Sequence, residues 1–125
     1  MILGIGIDLV EIARLEQVLV RHGGRAHRRL FTPEEIEYCN GAGRPGQSFA
    51  ARFAAKEAFF KAVGTGWGQG INWTDVEVAS AASGAPSLRL HGGARRRMEE
   101  LGARRTHLTL THSGSTAAAF LILEG

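Results

Sequence analysis

Apolar and polar positions change period several times along this chain, and each change marks an element. From Ile2 to Val10, the residues Ile5, Ile7 and Leu9 alternate with Gly4, Gly6 and Asp8, which is the two-residue period of a strand. The acid shares its side with the glycines, and that side reads as having room for a ligand. From Glu11 to about His22, Ile12, Leu15, Val18 and Leu19 recur at helical spacing until Gly23-Gly24 stops the pattern. Thr32-Pro33-Glu34-Glu35 then opens a short helix, with threonine as N-cap, proline in the first turn and Glu35 placed for a capping box; it ends by Asn40-Gly41. Residues 41–47 are a loop by composition, with Ser48 available to cap the next helix.

That helix organises the rest. Arg52 to Val63 carries alanine, phenylalanine and long straight side chains without a breaker until Gly64, a residue suited to the left-handed end of a helix. At roughly 100° per residue, Phe49, Phe53 and Phe60 form an aromatic stripe. Ala51, Ala54, Ala58 and Ala62 form a small-residue face that lets another element pack close. Glu57 and Lys61 fall in the narrow sector between them. They read either as an ordinary i,i+4 ion pair or as the border of a cleft.

Strand periodicity dominates the C-terminal half. Asn72 to Ala79 alternates, residues 82–86 turn, and Ser87 to Leu90 alternates again, so a hairpin is expected. Ala94, Met98 and Leu101 give a short helix ended by Gly102. Thr106 to Thr111 is a further strand, residues 112–115 turn, and the apolar run from Thr116 to Leu123 suits a central strand.

Composition narrows the classes. The 125 residues suffice for one domain, and neither disorder nor a membrane class is suggested by 44% hydrophobic and 22% charged residues. No apolar run reaches the ~18 residues of a membrane span, and the N-terminus lacks the marks of a signal peptide, so a cytoplasmic protein is expected. The single cysteine, Cys39, reads as a small buried apolar residue. The net charge of +3 favours an acidic partner, whether a phosphate-bearing ligand, a nucleic acid or an acidic protein.

Of the fifteen basic residues only Lys56 and Lys61 are lysine, and both lie on the central helix. A compact, flexible point charge is the kind of group that follows phosphate oxygens. Asp8 is the only charge in an apolar strand; it reads as a cap for the following helix or as an acid that needs a partner or a metal. Arg14, Arg21, Arg25, Arg28 and Arg29 form either a solvated face or a docking surface for an acidic helix, with Val18 nearby as apolar grip. Two acids and two lysines suit Mg²⁺-assisted handling of a diphosphate, because magnesium takes one or two carboxylates and fills its other positions with water and substrate phosphates.

Gly4-Ile5-Gly6-Ile7-Asp8-Leu9-Val10-Glu11-Ile12, Phe31-Thr32-Pro33-Glu34-Glu35, Arg52-Phe53-Ala54-Ala55-Lys56-Glu57-Ala58-Phe59, Gly64-Thr65-Gly66 and Leu108-Thr109-Leu110-Thr111-His112-Ser113 together closely resemble the holo-acyl-carrier-protein synthases, the small bacterial 4'-phosphopantetheinyl transferases. The resemblance covers nearly the whole chain in order. It implies an α+β fold in which an antiparallel sheet packs against a long central helix. It also implies a homotrimer with active sites between subunits, and transfer of 4'-phosphopantetheine from coenzyme A to a serine of apo-acyl carrier protein in support of fatty acid biosynthesis. Asp8 and Glu57 would hold Mg²⁺ and Lys61 would neutralise phosphate. Arg44, Arg52, Lys56, Gly64, Gly66, Pro86, Thr111 and His112 would contact coenzyme A. Arg14, Val18, Arg21, Arg25 and Arg28 would dock the carrier protein.

Two departures stand out. Thr109-Leu110-Thr111-His112 replaces a common Ser-x-Ser-His, and Gly84-Ala85-Pro86 replaces Gly-Lys-Pro or Gly-Arg-Pro. The general base stays open between Glu57 and a metal-bound water. Competing classes are a basic nucleic-acid-binding domain and a Mg²⁺-dependent nucleotide pyrophosphatase, although the base-reading patterns of nucleic-acid binders are missing.

Overall fold

The computed structural model describes residues 1–65 and 69–125. Its elements are β1 (Ile2–Glu11), α1 (Ile12–His22), α2 (Gly24–Leu30), α3 (Pro33–Asn40), α4 (Pro45–Val63), β2 (Val76–Ser80), β3 (Pro86–Leu90), α5 (Gly92–Leu101), β4 (Arg105–Ser113) and β5 (Thr116–Glu124). β5 lies at the centre of an antiparallel sheet in the order β1-β5-β4, while β2 and β3 form a separate antiparallel hairpin. The architecture is α+β, as the pattern suggested.

The helix α4 lies across the inner face of the larger sheet. Its alanines Ala54, Ala58 and Ala62 are buried against a core that includes Ala119, Leu121 and Leu123 of β5. The contact is closest at β1: a side chain at Gly6 would collide with the Ala58 carbonyl oxygen, and one at Gly4 with that of Ala62. The space beside the β1 glycines is therefore filled by helix backbone, not left for a ligand as the alternation had suggested. A second core, built around Phe31, Phe49, Leu15 and Leu19, packs α1 and α3 against the N-terminal half of α4.

Local signals explain most boundaries. Thr32 and Glu35 form the full capping box of α3, and Gly64 ends α4 at φ 76°. Ser48 lies inside α4 and does not cap it; its hydroxyl donates to Cys39 Sγ at 3.2 Å. Gly23, at φ 57°, interrupts rather than ends the helical region, and α2 begins at once. The expected strand from Asn72 is shorter, because Trp73–Asp75 forms a 3-10 turn before β2. There the Asp75 carboxylate accepts the Asn72 amide at 2.9 Å and closes the chain into a turn.

Candidate active site

The glycine contacts bring the C-terminal half of β1 against α4, so Asp8 and the third and fourth turns of the helix face one another. Lys61 Nζ donates to Asp8 Oδ1 at 2.8 Å and to the Ile7 carbonyl oxygen at 3.0 Å. The Asp8 side chain keeps 16% of its surface exposed and that of Lys61 keeps 54%. Glu57 stands one turn before Lys61 on the same side, half-buried. Among the described residues its carboxylate has no hydrogen bond and no ion pair within 4.0 Å. Burial pushes its pKa upward and the Asp8 charge adds to this, while the Lys61 ammonium partly offsets both.

Both simpler readings of these charges thus give way. Lys61 reaches across to the strand rather than pairing along its own helix. Asp8 caps nothing: Glu11 occupies the N-cap of α1, without a side-chain cap.

From this cluster a hollow of about 530 Å³ runs between β1, α1 and α4. Asp8 and Glu57 stand among its walls with Arg14, Val18, Phe53 and Trp73. A second hollow of about 510 Å³, lined by Arg25, Arg29 and His22, shares Val18, Leu30 and Trp73 with the first. The two make one surface with carboxylates at one end and cations at the other. Phe53 stacks on Trp73 with centroids 5.1 Å apart, and Phe60 meets the same ring edge-on at 5.1 Å. The aromatic stripe therefore builds a wall of the hollow.

Not all expected residues reach it. Lys56, expected against coenzyme A, is fully buried. Its ammonium donates to Glu35 Oε1 at 2.8 Å, to the Val76 carbonyl oxygen at 2.6 Å and to that of Trp73 at 3.1 Å, which uses all three of its protons. The same Glu35 carboxylate accepts from Thr32 N and Val78 N. Lys56 is thus a tie between α4, α3 and the hairpin, and has no donor left for a ligand. Arg52 also turns away, packing over the Tyr38 ring at 4.1 Å and donating to Ser48 Oγ at 3.2 Å. It is 6% exposed and makes no ion pair with a described carboxylate; its Nε has no partner among the described residues.

Arg44 lines a different hollow with Glu16, Gly114 and Ser115. Thr111 and His112 are exposed on β4, with β5 between them and β1. Pro86 begins β3, Gly64 is exposed at the end of α4, and Gly66 lies outside the described residues. Of the docking set, Arg14, Val18 and Arg25 line the double hollow. Arg21 instead borders a shallow depression with Val20, and the Arg28 guanidinium folds back over Gly24. Trp73, Leu30 and His22 had carried no signal of their own, since each reached the hollow only through the packing of α2 and the 3-10 turn.

Comparison with known proteins agrees with this geometry. Residues 4–119 match the 4'-phosphopantetheinyl transferase superfamily. The holo-[acyl-carrier-protein] synthase of Geobacter sulfurreducens is 47% identical over 99% of this chain and 98% of its own length. The crystal structure of the Neisseria meningitidis holo-[acyl-carrier-protein] synthase superposes with a TM-score of 0.91 at 36% identity, covering both chains fully. The Helicobacter pylori holo-[acyl-carrier-protein] synthase, solved in complex with coenzyme A, gives 0.85 at 28% identity over 96% of this chain and 99% of that one.

Proposed function

This chain belongs to the 4'-phosphopantetheinyl transferase superfamily, and we infer from it that the hollow serves transfer of 4'-phosphopantetheine from coenzyme A to a serine hydroxyl of an apo-acyl carrier protein. The observation that carries the reading is the meeting of Asp8, Glu57 and Lys61 at one end of a hollow whose other end is cationic. A diphosphate fits the first end and an acidic carrier helix the second.

The donor set suits Mg²⁺. Asp8 and Glu57 are close enough for one charge to raise the pKa of the other, and Glu57 has no partner among the described residues to absorb its charge. Two carboxylates on an open surface leave room for water and phosphate oxygens, which is the ligand balance that magnesium accepts. When bound, the ion supplies charge neutralisation at the diphosphate.

This chain's own residues supply the rest. The serine oxygen forms a bond to the β-phosphorus as the bond from that phosphorus to the bridging oxygen breaks; adenosine 3',5'-bisphosphate leaves with that oxygen. The serine proton passes to the Glu57 carboxylate, and Lys61 offsets charge on the phosphate oxygens. Arg14, Arg25 and Val18 hold the acidic helix that presents the serine.

The residues left outside the hollow support an assembly. Ile5, Ile7 and Leu9, between 55% and 69% exposed, lie on the outer face of the sheet, an apolar surface suited to a second copy. Arg44, Arg52, Thr111, His112 and Pro86 then serve as the complementary half of a site between neighbours in a homotrimer. Arg52, a buried cation without a described carboxylate partner, suits a phosphate brought to it by that arrangement. No described helix is long and apolar enough to cross a membrane, and we place the enzyme in the cytoplasm with its two substrates.

The test is intact-mass spectrometry of apo-acyl carrier protein after incubation with this protein, coenzyme A and Mg²⁺, with an EDTA control. A metal-dependent gain of one phosphopantetheine is expected. Coenzyme A cleavage without a change in carrier mass would replace the transferase by a pyrophosphatase. Light scattering under the same conditions should give three times the 13.4 kDa chain mass.

A further inference from the structure

Lys61 stands where a bound cation would stand. Its ammonium lies on Asp8 Oδ1 and is held there by a second bond to the Ile7 carbonyl oxygen, while Glu57 one turn away is left unpaired among the described residues. A lysine that was only a phosphate ligand would point into the hollow. Here its tip is anchored to the strand by two acceptors at 2.8 and 3.0 Å.

We propose that Lys61 is a latch: its ammonium substitutes for the metal at Asp8, and metal binding releases it to meet the substrate phosphates. The proposal rests on the metal reading of Asp8 and Glu57 given above. Two positive charges compete for one carboxylate, so the ion and the closed lysine exclude each other at Asp8. The strand carbonyl at Ile7 steadies the closed position. The open position is available because the Lys61 side chain is more than half exposed and swings on four rotatable bonds. The consequence is an order of events. Without the ion, Lys61 neutralises Asp8 and the cluster stays satisfied; with it, the same ammonium is free for the diphosphate. The lysine becomes available only when the metal is present.

The composition makes this measurable, because Lys56 and Lys61 are the only lysines. Lysine labelled with ¹⁵N at the side chain gives two ammonium signals, and Lys56, enclosed with three acceptors, serves as an internal reference. Addition of Mg²⁺ alone should shift the Lys61 signal or broaden it through exchange with water and leave the Lys56 signal in place. In parallel, Mn²⁺ binding to the free protein and to Lys61→Met is read by electron paramagnetic resonance. If the latch is closed about nine-tenths of the time, its removal tightens metal binding about tenfold. The Met variant also loses transfer activity. Bound metal with an unmoved Lys61 signal overturns the latch alone, and so does a variant that binds Mn²⁺ no tighter than the natural chain. Failure of both proteins to bind either ion overturns the metal reading and the latch together.

Discussion

Gly6 lies directly beneath the carbonyl oxygen of Ala58, with no space between β1 and α4 for even a methyl group. This contact sets how far Asp8 stands from Lys61, since the two side chains bridge the same pair of elements two and three residues further on. Gly6→Ala should therefore act in two ways. It should cost about 1–3 kcal/mol or more in urea unfolding, the range for overpacking a dense core. It should also depress transfer in the fraction that stays folded, by parting the charges. A variant as stable and as active as the natural protein would show that the helix can move away freely.

Lys56 and Glu35 predict a different outcome from Lys61, although both lysines sit on one helix. Lys56→Met strands the buried Glu35 carboxylate, and loss of one partner of such a pair costs about 3–5 kcal/mol. Burial lowers the Lys56 pKa and Glu35 works against that shift, which marks an enclosed charge held by its partner. The double variant Glu35→Gln/Lys56→Met should recover much of the loss in chemical denaturation. If the double variant is less stable than the single one by the full cost of a second defect, the two residues are not coupled.

Glu77 should give the hairpin an acid-sensitive anchor. Burial pushes its carboxyl upward, but bonds from Thr32 and His91 and the charge of Arg89 together outweigh burial and hold its pKa below the usual carboxylate range. A depressed carboxylate contributes stability above its unfolded pKa and loses it as pH falls through the folded value. The natural chain should thus exceed Glu77→Gln in stability at neutral pH, and the gap should close below about pH 4. Denaturation midpoints of both proteins from pH 3 to 7 measure this; a constant gap would refute it.

Asp8 and Glu57 should separate under magnesium titration. Asp8→Ala weakens metal binding and leaves the proposed base, so part of its transfer activity should return at high Mg²⁺. Glu57→Gln removes the proton acceptor and should stay about 10²–10⁴-fold slower at any concentration. Initial rates on apo-carrier protein decide it, and equal recovery of both variants would merge the two roles.

Much of this was legible in the chain. A lone acid in an apolar strand, and lysines in a sequence that otherwise uses arginine, singled out Asp8, Lys56 and Lys61 before any fold was available. Thr32, Glu35, Gly64 and Gly102 marked their helix ends by side-chain and backbone chemistry confined to a few residues. What stayed hidden was which charge meets which. Lys56 and Lys61 are alike in type, but they sit on opposite flanks of α4. Only the arrival of Glu35 from 21 residues earlier and Val76 from 20 residues later makes one of them structural. The β1 glycines misled for a similar reason: a missing side chain is compatible with a ligand or with another backbone, and the alternation cannot tell them apart.

The alternation of β1 leaves little freedom in the reading frame of the N-terminus. Gly4, Gly6 and Asp8 meet the helix while Ile5, Ile7 and Leu9 face outward, so one residue inserted between Ile2 and Gly6 would exchange the two sets. Isoleucines would then press on α4 and the acid would turn out of the hollow. The same insertion at residues 81–85, in the turn between β2 and β3, displaces nothing that the cluster uses. Changes of length should accordingly collect in that turn among working versions of this chain, whereas the distance from the first methionine to Asp8 should hardly vary.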